Sequence, residues 1–396
     1  MADRRFIVNA RLPQRPGLYQ IAIEAGRISA IASQTKQPDD LPATTSFPDA
    51  EVTDVKGDWI SLGAVDLQIN GALGLAFPDL RINRLDQLQT ICELLWTQGV
   101  SSFCPTLVTT SLENFRGSLA AIQSFQEQQK RRQESDSATI LGVHLEGPFL
   151  NHTKRGAHPA QSLQSLTLET IKAVVGEFSE SISIITLAPE TATEAGVIHW
   201  LKEQNIAVSL GHSLATAKQA SAAFTEGATL VTHAFNAMPA LHHREPGLLG
   251  AALANPKVYC GFIADGQHIC KTMLDLLLRM SRGSQKTQTM AGLFLVSDAL
   301  SPLGLSDGIY PWDSRQISVV NGTARLLDGT LSGTTLPLIA GAQNLVQWGL
   351  CSVEEAIALV TTAPRRAIQQ PDIGIHQPAQ LLRWSQSGSQ LHWQRL

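Results

Sequence analysis

Between residues 58 and 370 the chain alternates short apolar, β-branched runs with segments of helical periodicity, and nothing else in it restricts the fold as much. Eight runs read as strands, at about 60–69, 100–106, 139–146, 183–188, 207–211, 229–234, 259–264 and 293–298. Segments between them, such as 85–98, 112–130 and 215–226, repeat apolar residues at helical spacing. Buried strands joined by crossover helices form a parallel sheet, and eight such units in this length predict a (β/α)8 TIM-like barrel. An open doubly wound sheet would normally place a glycine-rich phosphate turn after its first strand, and Asn70-Gly71-Ala72-Leu73-Gly74 imitates one only weakly.

Both ends of the chain follow a different pattern. Tyr19-Gln20-Ile21-Ala22-Ile23-Glu24 and Arg27-Ile28-Ser29-Ala30-Ile31 flank the turn Ala25-Gly26, and the stretch from Gln34 to Asp49 reads as loop. Near the other end, Gln380–Trp384 and Gln390–Trp393 flank Ser387-Gly388-Ser389. Isolated hairpins are marginal in water, so residues 1–57 and 371–396 are expected to share one small β-sandwich domain beside a barrel of residues 58–370.

Composition narrows the function. A net charge of −4 without Lys/Arg runs argues against a nucleic-acid partner. No run approaches membrane-spanning length, and the first residues lack the apolar core of a signal peptide. Five cysteines without a Cys-x-x-Cys pair read as reduced residues of a cytoplasmic protein.

In a barrel the chemistry gathers at the C-terminal strand ends. Strand three runs Thr139-Ile140-Leu141-Gly142-Val143-His144-Leu145-Glu146 and is stopped by Gly147-Pro148, leaving Glu146 where a buried strand opens into a loop. A carboxylate there needs a cation or a proton, and a structural ion pair would serve as well as a metal. The strand ends downstream favour the metal. Strand five leads to Gly211-His212-Ser213, strand six to Thr232-His233, strand seven to Asp265-Gly266-Gln267-His268 and strand eight to Ser297-Asp298. One histidine near an apolar strand is usually structural, but several polar groups on one rim would be costly without a ligand. Glu146, His212 and His233 form a two-nitrogen, one-oxygen set with an open position for water on a divalent ion. Asp298 has the character of a general base and then acid.

These blocks, with Asp66-Leu67-Gln68-Ile69-Asn70-Gly71, Lys154-Arg155-Gly156-Ala157-His158, His233-Ala234-Phe235-Asn236-Ala237-Met238 and Arg244-Glu245-Pro246-Gly247, resemble the N-acetylglucosamine-6-phosphate deacetylases of the amidohydrolase superfamily. The resemblance runs in family order from about residue 57 to 370. It implies a barrel with a β-sandwich, a homodimer, and hydrolysis of the N-acetyl group of the phosphosugar to acetate and glucosamine 6-phosphate. It implies that Glu146, His212 and His233 hold the metal and that Asp298 is the acid/base. By the same resemblance His268 binds the sugar and polarises the amide carbonyl, and His158 contacts a sugar hydroxyl. Asn236 and the backbone N–H of Ala237 cradle the phosphate, helped by Arg244, which can come from the neighbouring subunit; a guanidinium suits a phosphate, though Arg244 also reads as an ordinary surface arginine.

Two-metal amidohydrolases usually carry His-x-His after strand one, where this chain has Gln68 and Asn70. Neutral amides are poor transition-metal ligands, so Gln68 is placed near the metal and one divalent ion per chain is expected, zinc first, with iron, cobalt or manganese as alternatives. A hairpin around residues 316–327 inserts into the last connection and either covers the site or is purely structural. A related amidohydrolase acting on another amino sugar or a cyclic amide would keep the metal and Asp298 without needing the phosphate set. A silent scaffold would be expected to have lost one of the four residues.

Overall fold

The computed structural model describes residues 4–34, 51–132, 136–283 and 292–396. The central feature is a parallel barrel whose strands are Ala64–Ile69, Val100–Val108, Val143–Glu146, Ile182–Leu187, Ala207–Leu210, Leu230–Val231, Tyr259–Phe262 and Leu293–Leu295. Each pairs in parallel with the next. The last strand returns to the first through two backbone bonds, Asp298 N–H to Gln68 O (2.9 Å) and Asn70 N–H to Ala299 O (2.7 Å). The expected (β/α)8 barrel is therefore present.

Helices cover the barrel because their apolar residues recur on one face. In Leu85–Thr97 the buried residues are Leu88, Ile91, Cys92 and Leu95, at helical spacing. Ala217–Glu226 and Val353–Val360 start in capping boxes, Thr216 with Gln219 and Ser352 with Glu355, which satisfy backbone donors of the first turn. No helix among the described residues is long and apolar enough to cross a membrane.

Strand bounds differ from the sequence expectation in two informative places. The run 60–69 is two strands. Trp59–Leu62 belongs to the terminal sheet and Ala64–Ile69 to the barrel. Gly63 is the joint, where a Cβ would lie 2.5 Å from the Ser101 Cβ. The sixth strand keeps regular pairing only at Leu230–Val231, because the backbone turns left-handed at His233 (φ 29°).

The two termini build one seven-stranded sheet, ordered Gln390–Arg395, Leu381–Ser387, Trp59–Leu62, Arg4–Leu12, Arg15–Glu24, Arg27–Gln34, with Glu51–Asp54 also beside Arg4–Leu12. It closes over its own core, with Ile7, Leu12, Ile21, Ile28, Ile60 and Leu381 buried together. The Trp384 indole is fully buried and donates to Ser61 Oγ at 2.8 Å. The loop expected after Gln34 lies, apart from Gln34 itself, outside the described residues. A separate four-stranded antiparallel sheet, Gly308–Trp312, Arg315–Val320, Thr323–Leu326 and Leu331–Thr334, contains the expected hairpin, and its Asn321-Gly322 turn has both residues at positive φ.

Arg365, buried in the helix Thr362–Ala367, ties the base of the barrel together. Its guanidinium donates to Gly63 O (2.8 Å), Thr361 O (2.9 Å) and Ser101 Oγ (3.2 Å). Arg365→Ala should lower stability by about 3 kcal/mol, because buried acceptors lose their donor. Gly63 and Ser101 flank the N-terminal strand ends, away from the chemical rim. Denaturant melts should show the loss, and turnover per folded molecule should stay at the parent value.

Candidate active site

Three strand ends bring one carboxylate and two imidazoles to a point. Glu146 closes strand three, and His212 and His233 follow strands five and six. Glu146 Oε1 lies 3.2 Å from His212 Nε2 and 3.1 Å from His233 Nε2, and the two nitrogens are 2.9 Å apart. All three residues are buried. His212 Nδ1 lies 2.8 Å from Lys154 O, so it carries the hydrogen and leaves Nε2 with a bare lone pair. His212 (φ 47°) and His233 (φ 29°) adopt the left-handed backbone, which aims both rings at Glu146. Gly147 (φ 86°) lets strand three turn away, since a Cβ there would meet Thr109 Oγ1 at 2.2 Å.

The electrostatics call for a cation. Burial acts to raise the Glu146 pKa, but the His212 and His233 imidazoles against its carboxylate hold it well below the usual carboxylate range. Burial acts oppositely on His233, and the Glu146 carboxylate outweighs it and raises the ring's pKa. The charge on Glu146 thus attracts a positive partner, and a proton or a metal ion answers the same need. His233 Nδ1 and Asn70 Oδ1 are buried without hydrogen-bond partners. A set of one carboxylate and two imidazole nitrogens that can all approach one point fits a divalent ion of the zinc type.

Asp298 (φ 46°), beyond strand eight, completes the rim. Asn70 Nδ2 donates to its Oδ1 at 2.7 Å, and Gln68 Nε2 reaches both Asp298 Oδ1 and Glu146 Oε1 at 3.2 Å. Gln68 therefore donates to both carboxylates, and Asn70 to Asp298. Burial, and then the charge of Glu146, raise the Asp298 pKa. His268 is held through Nδ1 by Asp265 Oδ2 at 2.7 Å, and that carboxylate also accepts the backbone N–H groups of Gln267 and His268. His158 Nδ1 accepts the backbone N–H of Thr109 (3.3 Å), which puts its hydrogen on Nε2. Burial, followed by His212, pushes the His158 pKa down to about 3, so its ring is neutral.

Glu146, His158, His212, His233, Asn236, Ala237, His268 and Asp298 all face one cavity of about 750 Å³. Phe235 (φ 73°) and Ala237 (φ 52°) bend the backbone around Asn236 in the alternating manner that turns N–H groups to one side. Arg244 is not among the cavity-lining residues. It is exposed, and its Nη1 contacts His243 Nε2 at 3.0 Å. Sequence reasoning missed three participants. Thr109 fixes the His158 ring, Lys154 presents its carbonyl to His212 and its Nζ to Met238 O (3.2 Å), and Trp312-Asp313-Ser314 forms a wall of the cavity. A threonine after a strand and a hairpin tip carry no distinctive pattern, whereas Lys154 stood in a recognised block.

Comparison with known proteins agrees with this geometry. No family model matches the chain. It is 34% identical over 326 residues to N-acetylglucosamine-6-phosphate deacetylase of Bos taurus, covering 80% of this chain and 76% of the relative. It is 29% identical to N-acetylgalactosamine-6-phosphate deacetylase of Escherichia coli O157:H7, over 88% of this chain and 85% of that one. Among solved structures, N-acetylglucosamine-6-phosphate deacetylase from Pasteurella multocida superposes with a TM-score of 0.81 at 26% identity, over 99% of this chain and 100% of the other.

Glu146→Gln removes the one anionic oxygen of the ligand set. Divalent-ion affinity should fall by more than about a hundredfold, the upper end of what loss of a supporting residue costs a metal site. Metal retained after dialysis against competing chelator measures it.

Proposed function

The chain belongs to the N-acetylglucosamine-6-phosphate deacetylase family of the amidohydrolase superfamily, and from that membership we propose how its residues divide the work. The reaction is metal-dependent hydrolysis of the N-acetyl group of N-acetyl-D-glucosamine 6-phosphate to D-glucosamine 6-phosphate and acetate, in amino-sugar catabolism. The observation that carries the assignment is the Glu146/His212/His233 cluster sharing one amide, Gln68, with the buried Asp298.

One divalent ion per chain, zinc first and iron, cobalt or manganese as alternatives, would be held by Glu146, His212 and His233 and supply Lewis acidity to the acetyl carbonyl and to water. Asp298, its basicity increased by burial, takes the proton of the attacking water and passes it to the amine nitrogen, which would otherwise leave as a poor anion. Asn70 and Gln68 keep its carboxylate turned to the reacting centre. His268, oriented by Asp265, faces the acetyl group and polarises its carbonyl as charge develops there. His158 offers its Nε2–H to a sugar hydroxyl. Asn236 and the Ala237 N–H receive the phosphate at the bent segment after strand six. Arg244, exposed on its own chain, reaches the phosphate of a second copy in a homodimer. The enzyme works in the cytoplasm.

The galactosamine-type relative, which matches over a larger share of the chain, favours one second reading, a preference for the C4 epimer of the sugar. Acetate release from both N-acetylhexosamine 6-phosphates and from unphosphorylated N-acetylglucosamine decides it. Turnover of the glucosamine phosphate, with little from the unphosphorylated sugar, is expected; faster turnover of the galactosamine phosphate would reassign the substrate.

Asp298→Asn should retain metal and substrate while kcat falls at least about a thousandfold, within the range general acid–base groups contribute. Arg244→Ala should raise KM about tenfold with kcat little changed, as expected for lost ground-state binding. Steady-state kinetics on metal-quantified protein checks both, and an unchanged KM would remove Arg244 from the phosphate site.

A further inference from the structure

The hairpin wall of the cavity is fastened to the segment that carries His158. Arg315 stands just past the turn at Asp313-Ser314. Its Nε donates to Asp313 Oδ1 (3.0 Å) and its Nη2 to Asp313 Oδ2 (2.6 Å). Nη2 also donates to Ala157 O at 2.7 Å. The Arg315–Asp313 pair is about one-third exposed, so it adds little stability, and its consequence is positional.

The Ala157 carbonyl and the His158 N–H belong to one planar peptide unit. That N–H donates to Arg155 O at 3.1 Å. The plane is thus gripped at both polar atoms, by Arg315 on one side and Arg155 on the other, which sets the direction in which His158 leaves the backbone. Packing supplies a second, independent contact. Trp312, only 7% exposed, belongs to an apolar cluster against which Val108 and Ala157 pack. Val108 precedes Thr109, whose hydroxyl lies 2.9 Å from His158 Nδ1. The hairpin therefore touches both supports of His158, the peptide before it and the strand end that holds its ring.

We propose that Arg315 is a positioning residue for substrate binding, acting through the Ala157 carbonyl to place the His158 ring against the sugar. The proposal rests on the reading of His158 as a sugar-binding residue. It makes the hairpin part of the recognition machinery.

A double-mutant cycle tests it, with N-acetylglucosamine 6-phosphate as substrate and metal content and melting temperature measured on every variant. Arg315→Ala should raise KM about tenfold at parental metal content, the scale on which small misplacements act, and Arg315→Lys, which keeps one donor, should fall between. In a His158→Gln background, adding Arg315→Ala should change kcat/KM by less than about twofold, because the group it positions is already gone. A full tenfold loss in that background overturns the proposal, as does a parental KM in Arg315→Ala. If His158→Gln alone leaves kcat/KM at the parental value, the sugar contact itself is wrong and the proposal falls with it. Should the alanine chain not fold, Arg315→Lys carries the same cycle.

Discussion

The seam between the last and first barrel strands holds the fold and the chemistry together. Asp298 donates its backbone N–H to Gln68 O, while the side chains of Gln68 and Asn70 donate to the Asp298 carboxylate. The bonds that close the barrel thus also orient the proposed acid/base. A carboxylate this deeply buried needs donors, and taking them from the closing strand means that it is in place only when the barrel is shut. Glu146 draws on the same amide, so the seam also steadies the metal set.

Three of the strand ends use backbone strain for aim. His212, His233 and Asp298 are non-glycine residues at positive φ, a conformation costing on the order of 1–3 kcal/mol each. Regular strands would send these side chains along the ladder at alternating heights. Turning the backbone left-handed at the last moment points them into the cavity that they share, and hydrogen bonds such as His212 Nδ1–H to Lys154 O keep them there.

How much of this could be read from the residues depends on whether a role leaves a chemical signature. The barrel was legible from apolar periodicity, and the Glu146/His212/His233 set from ligand-type residues recurring at strand ends. Strand lengths were less so. Alternation cannot show that the regular sixth strand stops at Val231, or that Gly63 divides one apolar run between two sheets, because both follow from backbone torsion and close contact. Gln68 and Asn70 were recognisable as poor metal ligands, but their work as donors to Asp298 depends on strand eight lying beside strand one. Thr109 and Arg315 were invisible for the same reason. They act through single contacts between segments far apart in sequence.

The terminal sheet has a consequence for how the molecule is made. The Trp384 indole and its partner Ser61 are 323 residues apart in sequence, and the strand Trp59–Leu62 pairs on one side with Leu381–Trp384. On a ribosome adding about 5–20 residues per second, the early strand waits roughly fifteen seconds to a minute for its neighbour. During that interval one flank of a β-sheet has open backbone donors and acceptors while the whole barrel is being synthesised. An unpaired edge of this kind invites pairing with another nascent chain. The terminal sheet therefore cannot complete itself until the barrel between its strands has been made, and its early strand stays open to mispairing for that long.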